Sequence, residues 1–330
     1  MIKISTLAFR FRIMRLIFKQ YYKYSVFVCT LSRQINAVAY LKLLRPKDWA
    51  KNLFLFIPLF FAREFDNVSK LTQLFYGFIA FSCIASSIYI INDYRDREDD
   101  RKHPTKCKRP LAAGTVSPTA AIVICVILIL GGFGLAYWIR DKFLFVLAIY
   151  FLVNLGYSLG LKNIPILDII LLAAGFVLRI KSGSVIAHVF LSEWIIIMVF
   201  LLAIFMAIGK RRDDVLLKLS SGTDMRKSIK GYNLEFLNVM LALVSAVIIV
   251  SYIMYCMSPE VEDRLGRRLY YTCLFVMAGL MRYLQIIYVS SDSGSPTKIL
   301  YKDRFIQLTL VLWIASFALI LYLKDITIFK

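Results

Sequence analysis

Residues 118–139 contain no charged side chain, and a run of that length can cross the ~30 Å hydrocarbon core of a bilayer as one helix. Eight more predominantly apolar runs lie at about 47–62, 71–93, 143–159, 164–182, 193–209, 235–257, 269–289 and 305–323. Lipid offers no partner to a free backbone N–H or C=O, so runs of this kind must be helices packed into a bundle. The expected fold is therefore all-α: a polytopic membrane protein with about nine transmembrane helices. A hydrophobic content of 59% and a mean hydropathy of +0.68 agree with it, and leave no room for a second, soluble domain.

Charge sets the expected orientation and narrows the partners. The chain carries 41 Lys and Arg against 21 acids, a formal net charge of +20. These cations sit between the spans rather than in a separable basic domain, which argues against nucleic acid. Anionic lipid headgroups and phosphorylated substrates fit better. Segments 94–117 and 210–233 each hold seven Lys or Arg, whereas 63–70, 140–142 and 184–192 hold two, two and none. The positive-inside rule then predicts that the basic segments face the cytoplasm, with the N-terminus on the same side and the C-terminus opposite. That topology also predicts that Lys51 and Asn52, the acidic stretch near residue 93, the 159–164 turn, the 210–214 turn and the 290–304 loop share one face.

Residues 1–40 read as a basic amphipathic extension lying on an anionic membrane surface. Lys3, Arg10, Arg12, Arg15, Lys19, Lys23 and Arg33 occur before the first acid, Asp48. Such an Arg-rich, acid-free leader also resembles an organelle presequence. The six cysteines show no paired spacing and fall mostly in apolar runs, so they read as small buried residues rather than disulfide or zinc ligands. The Gly131-Gly132-x-Gly134 run suits close helix packing. His103 and His188 read as polar surface residues.

The chemistry concentrates where the second span ends. Asn92, Asp93, Asp96 and Asp100 have helical spacing: at ~100° per residue, Asp93 and Asp100 point almost the same way, with Asp96 about 60° off. Hard oxygen donors so placed suit Mg²⁺, which usually shares its shell with substrate phosphates. Arg101, Lys102, Lys106, Lys108 and Arg109 follow at once and can grip an anion. Further along, Lys162 sits in a tight turn and Asp168 opens the next span. An acid there is costly and therefore a functional candidate, as is Arg179 about three turns deeper on the same face, each weighed against a buried ion-pair role. Gly209-Lys210-Arg211-Arg212 closes the sixth span. The helix dipole accounts for Arg212 and leaves Lys210 and Arg211 as phosphate ligands. Arg282 is a further cation within a span.

Several of these motifs carry a family likeness. Asn92-Asp93-x-x-Asp96-x-x-x-Asp100 resembles the first signature of the UbiA superfamily of intramembrane prenyltransferases. Leu44-Arg45-Pro46-x-x-Trp49-x-Lys51-Asn52 adds to the likeness, as does Asp100-Arg101-x-His103-Pro104-x-Lys106-x-x-Arg109-Pro110-Leu111-Ala112-Ala113-Gly114. With Tyr157-x-x-Gly160-Leu161-Lys162 and Gly209-Lys210-Arg211, the set resembles the decaprenyl-phosphate phosphoribosyltransferase branch. The likeness covers about residues 40–325, so 41–330 is expected to form one UbiA-type transmembrane catalytic domain.

The resemblance implies Mg²⁺-dependent transfer of 5-phosphoribose from phosphoribosyl pyrophosphate to a polyprenyl phosphate, for a lipid-linked pentose used in envelope polysaccharides. It implies a multi-pass protein of the bacterial inner membrane with a cytoplasmic active site. Asn92, Asp93, Asp96 and Asp100 would hold the metal, with Asp93, Asp96 and Asp168 catalytic and Asp168 orienting ribose hydroxyls. Lys51, Asn52, Arg101, Lys108, Arg109, Tyr157, Lys162, Arg179, Lys210 and Arg211 would bind substrate. A prenyl-diphosphate enzyme of the superfamily usually has a second Asp-rich motif after the fourth span. Here only Asp168 stands there, preceded by Lys162, which favours a second anionic substrate. Aromatic prenylation and transport are the alternatives, and a homo-oligomer is compatible with the pattern.

Overall fold

A computed structural model describes residues 37–102, 106–221, 229, 231–259, 261–262, 267–289, 299 and 302–322. The extension up to residue 36, His103 to Thr105, and residues 290–298 of the 290–304 loop lie outside the described residues.

Among the described residues, seven helical segments are long and apolar enough to cross a membrane. They are α3 (Val68–Arg95), α5 (Pro118–Ile139), α6 (Asp141–Leu159), α7 (Leu167–Ala187), α8 (Glu193–Ser221), α9 (Leu234–Cys256) and the segment Leu269–Val289, most of which is α10 (Cys273–Val289). The last expected span is α11 (Arg304–Tyr322), whose apolar part is shorter. Each apolar run read from the sequence thus coincides with a helical segment.

Two of these segments differ from expectation. After a short α1 (Ala37–Leu44), the run at 47–62 is a 3-10 coil, Pro46–Phe56, followed by the short α2 (Ile57–Phe61). The coil is fastened sideways: Asn52 Nδ2 donates to Ser82 Oγ (2.9 Å), Trp49 Nε1 donates to Ser86 Oγ (3.0 Å), and Ser86 donates to the Leu44 carbonyl (2.8 Å). Pro58 removes a further backbone donor near the start of α2. The sixth span also does not end at residue 209. α8 continues to Ser221, so Lys210, Arg211 and Arg212 lie inside a helix and the dipole argument for Arg212 fails. Arg211 and Asp214 pair across i,i+3 there.

The chain divides into two compact units, Met1–Asn52 with Phe78–Trp138, and Leu53–Gly77 with Ile139–Lys330. In the first, α5 lies against α3 through Gly132, where a Cβ would meet the Ile84 side chain at 2.9 Å. Gly131 and Gly134 face open space, so only one of the three glycines serves packing. Val123, Ile127 and Leu130 of α5 are exposed, as lipid-facing residues must be.

In the second unit, α7 presses so closely on the coil before α2 that a Cβ at Gly183 would overlap the Leu55 carbonyl. Gly209 of α8 meets the Tyr283 hydroxyl of α10 in the same manner. The core there includes Phe205, Ile208, Leu237, Leu241, Val244 and Ile286. Arg212 ties three helices: it donates to Asn238 Oδ1 (2.8 Å) and the Ile287 carbonyl (2.9 Å), and stacks on Tyr288.

Candidate active site

α3 has 28 residues and a length of about 42 Å, longer than the ~30 Å hydrocarbon core, so its last turns can leave the apolar zone. The helical path continues past it, since Asp96 N–H donates to the Asn92 carbonyl (2.9 Å) and Asp100 N–H to the Asp96 carbonyl (2.8 Å). α4 (Arg97–Lys102) follows directly. This near-continuity puts Asp93 and Asp100 on one face, as their spacing requires. Both are buried, at 2% and 3% exposure.

A single guanidinium joins them. Arg109 Nη1 lies 3.0 Å from Asp93 Oδ1 and 2.6 Å from Asp100 Oδ2. Arg45 Nη2 also reaches Asp93 Oδ1, at 2.5 Å, with its guanidinium over the Tyr89 ring. Arg45 adopts φ +53°, a strained conformation for a residue with a Cβ, at the junction of α1 and the 3-10 coil. Burial pushes the Asp100 carboxyl above its usual range, although Arg109 and Lys106 pull the other way.

The second unit holds another cluster. Asp168, in the first turn of α7, has no exposed surface. Its Oδ2 accepts from Arg211 Nε at 2.5 Å and its Oδ1 from the Tyr232 hydroxyl at 2.7 Å. Arg211 is equally buried, its Nη1 donates to Asp214 Oδ2 (3.0 Å), and its Nη2 has no hydrogen-bond partner among the described residues. Tyr157 is close enough to Arg211 to act on it electrostatically. The Tyr232 oxygen also accepts from Ile166 N–H (2.5 Å), clamping a residue with φ +69° just after the turn that carries Lys162. Burial, helped by the neighbouring Asp168, raises the Tyr232 phenol well above its ordinary pKa and keeps its proton on.

Other candidates have their own partners. Asn52 is buried against Ser82, and Lys51 pairs with Asp48 at 2.6 Å. Arg101 pairs with Glu98 and donates to the Ala112 carbonyl. Arg179 donates to the Gly175 carbonyl (2.9 Å) and the Tyr150 hydroxyl (2.8 Å), and its guanidinium lies over the Tyr150 and Phe176 rings. Lys108 and Lys210 are exposed, and Lys162 is half-buried. Arg282 pairs with Asp303 at 2.8 Å, and exposed His188 meets Arg140 at 2.6 Å.

The expected four-ligand metal set is only partly assembled. Among the described residues no three His, Cys, Asp or Glu side chains gather into a metal site. Asp93 and Asp100 nevertheless fit a hard divalent ion: they are buried, adjacent, and already share a cation, the Arg109 guanidinium. Sequence reasoning passed over Arg45, Asp214 and Tyr232 as site residues. Arg45 lies within the Leu44-Arg45-Pro46 motif and Asp214 within the 210–214 segment, whereas no motif contains Tyr232.

A bundle of helices long and apolar enough to cross a membrane, with carboxylate–arginine clusters near span ends, defines an intramembrane helical protein with charged groups held inside it. The chain belongs to the UbiA prenyltransferase family, whose profile matches residues 53–218. It is 31% identical to the decaprenyl-phosphate phosphoribosyltransferase of Mycolicibacterium smegmatis over 86% of this chain and 92% of that one. It is 32% identical to the Corynebacterium glutamicum protein of the same name, over 86% of each. Its fold resembles that of a UbiA homolog from Archaeoglobus fulgidus bound to DMAPP and Mg²⁺, with a TM-score of 0.64 and 22% identity over 86% of this chain and 98% of the other.

Proposed function

We propose that this protein transfers 5-phosphoribose from phosphoribosyl pyrophosphate to a polyprenyl phosphate of the decaprenyl type, releasing pyrophosphate. The observation that carries this reading is the pair of buried carboxylates, Asp93 and Asp100, held around one arginine in a chain about 30% identical to two decaprenyl-phosphate phosphoribosyltransferases. A transporter reading has less support, since the relatives that share about 30% of the sequence over most of this chain are transferases. A prenyl-diphosphate enzyme would be expected to have a second acidic cluster, and Asp168 is instead engaged by Arg211 and Tyr232.

Asp93 and Asp100, joined by Asn92 and Asp96, are the residues that would hold Mg²⁺. When bound, the ion supplies charge stabilisation to the departing pyrophosphate. Arg45 and Arg109 each meet the carboxylates through one guanidinium nitrogen and are placed to exchange those contacts for phosphate oxygens, which a guanidinium can also bind in a bidentate manner. In the first unit, exposed Lys108 adds charge beside Arg109; in the second, exposed Lys210 and half-buried Lys162 are further cations available to a phosphorylated reactant. The acceptor phosphate is already an anion at neutral pH, so no general base is needed and positioning carries much of the rate. Because Asp168 has no exposed surface and is engaged by Arg211 and Tyr232, we assign it to holding Arg211 and the Lys162 turn in place rather than to contact with ribose. Asn52 and Arg179 are likewise assigned to packing. The basic segments would face the cytoplasm of a bacterial inner membrane, where a soluble sugar phosphate is available.

The test uses membranes containing the protein, labelled phosphoribosyl pyrophosphate and decaprenyl phosphate, with and without EDTA. Label should enter the lipid phase only with divalent metal, and Asp93→Asn or Asp96→Asn should abolish it in protein that still folds in detergent. Lipid labelling only from a prenyl diphosphate and an aromatic acid would overturn the reading.

A further inference from the structure

We propose that Cys256 and Cys273 form an intramolecular disulfide on the face of the membrane opposite the Tyr232 end of α9. Cys256 is the last residue of α9 and Cys273 the first of α10, 17 positions apart, and their sulfurs lie 3.9 Å from one another. A disulfide bond is ~2.05 Å long, so the gap is about 2 Å, within reach of small side-chain rotations.

The two ends are held in register by neighbours. Tyr252, one turn before Cys256, hydrogen-bonds to Thr272 Oγ1 (2.8 Å), which donates to the Leu269 carbonyl (2.6 Å). Trp313 Nε1 of α11 donates to the same Tyr252 oxygen at 2.7 Å. Cys256 is buried with Tyr252, Leu269 and Phe317, and Cys273 is half-buried against that cluster. The thiols are therefore kept near each other by the fold, independently of any bond between them.

Charge assigns the compartment. α9 has 23 residues and a length of about 34 Å, enough to put its two ends on opposite faces of a bilayer. Segment 210–233 before it holds seven Lys or Arg, whereas 257–268 after it holds three. The cysteine end is then the non-cytoplasmic one, where disulfides persist. The step is thiol–disulfide exchange with a disulfide donor of that compartment. The two cysteine sulfurs are oxidised and join, the donor's S–S bond breaks, and its two sulfurs leave as thiols carrying the two protons. The bond staples α9 to α10 and does not depend on the reaction proposed above.

The experiment counts thiols. Cells producing the full chain are lysed in denaturant with excess N-ethylmaleimide, then reduced and labelled with a polyethylene-glycol maleimide. Wild type and Cys83→Ser should each gain two labels on reduction, and Cys256→Ser and Cys273→Ser none. No label in reduced wild type, or two labels persisting in Cys256→Ser, overturns the proposal.

Discussion

Arg211 and Asp168 form an ion pair with no exposed surface on either side chain, and this yields a quantitative prediction. Removing one partner of such a pair leaves a buried charge, which costs about 3–5 kcal/mol. Among the described residues, Arg211→Met leaves Asp168 with Tyr232 and removes the Asp214 counter-charge as well, and Asp168→Leu leaves Arg211 with Asp214. Each single variant should therefore be destabilised by about 3–5 kcal/mol, near the upper end of what point changes do. Replacing both by apolar residues removes the stranded charge, and such replacements are often neutral or stabilising. The double variant Asp168→Leu/Arg211→Met should thus recover most of the loss, although Asp214 remains to be solvated at its 17% exposure. Apparent thermal midpoints in detergent, measured for all four proteins, give the coupling between the two sites. Losses that simply add in the double variant would refute the argument. So would single variants indistinguishable from wild type.

Other consequences can be checked separately. Tyr232→Phe removes the acceptor for Ile166 N–H and a donor to Asp168, and should cost about 1–3 kcal/mol in stability and slow phosphoribosyl transfer, with Phe236→Leu as a neighbouring control. Gly183→Ala drives a methyl group into the Leu55 carbonyl, a backbone atom that cannot rotate away. It should abolish monodisperse extraction in detergent, whereas Gly131→Ala, facing open space, should not. Asp100 is a carboxyl whose pKa is raised by burial, so the fold favours its neutral form. Its contribution to stability is present below the ordinary carboxylate pKa and is lost as pH rises through the raised value. Asp100→Asn cannot titrate and should flatten that part of the stability–pH curve; an unchanged slope would contradict the burial argument.

Several features were legible because they depend on local periodicity. Runs of about 20 apolar residues became helices at nearly the expected positions, since a bilayer permits little else. The seven-residue interval between Asp93 and Asp100 put both on one helix face, and Arg109 binds them together there. Lys162 lies in a tight turn beside Gly160, whose φ of +148° suits a residue without a Cβ. Even here one local reading failed: the charges at 210–214 looked like a helix end, yet α8 runs through them because Arg211 finds its counter-charges inside the fold.

Partners far apart along the chain were not legible. Arg45 reaches Asp93 across 48 residues, and Tyr232 reaches Asp168 across 64. Spacing along a chain says which side chains share a face of one helix, because the backbone repeats every 3.6 residues. It says nothing about which other helix comes to lie against that face. The sequence alone therefore determined a helical membrane bundle and the identity of its acidic and basic groups. Tertiary packing alone decided that Asp168 is locked between Arg211 and Tyr232, that Asn52 and Arg179 fasten helices, and that two cysteines 17 residues apart meet. Those outcomes follow from shape and desolvation where helices touch, which no local repeat encodes.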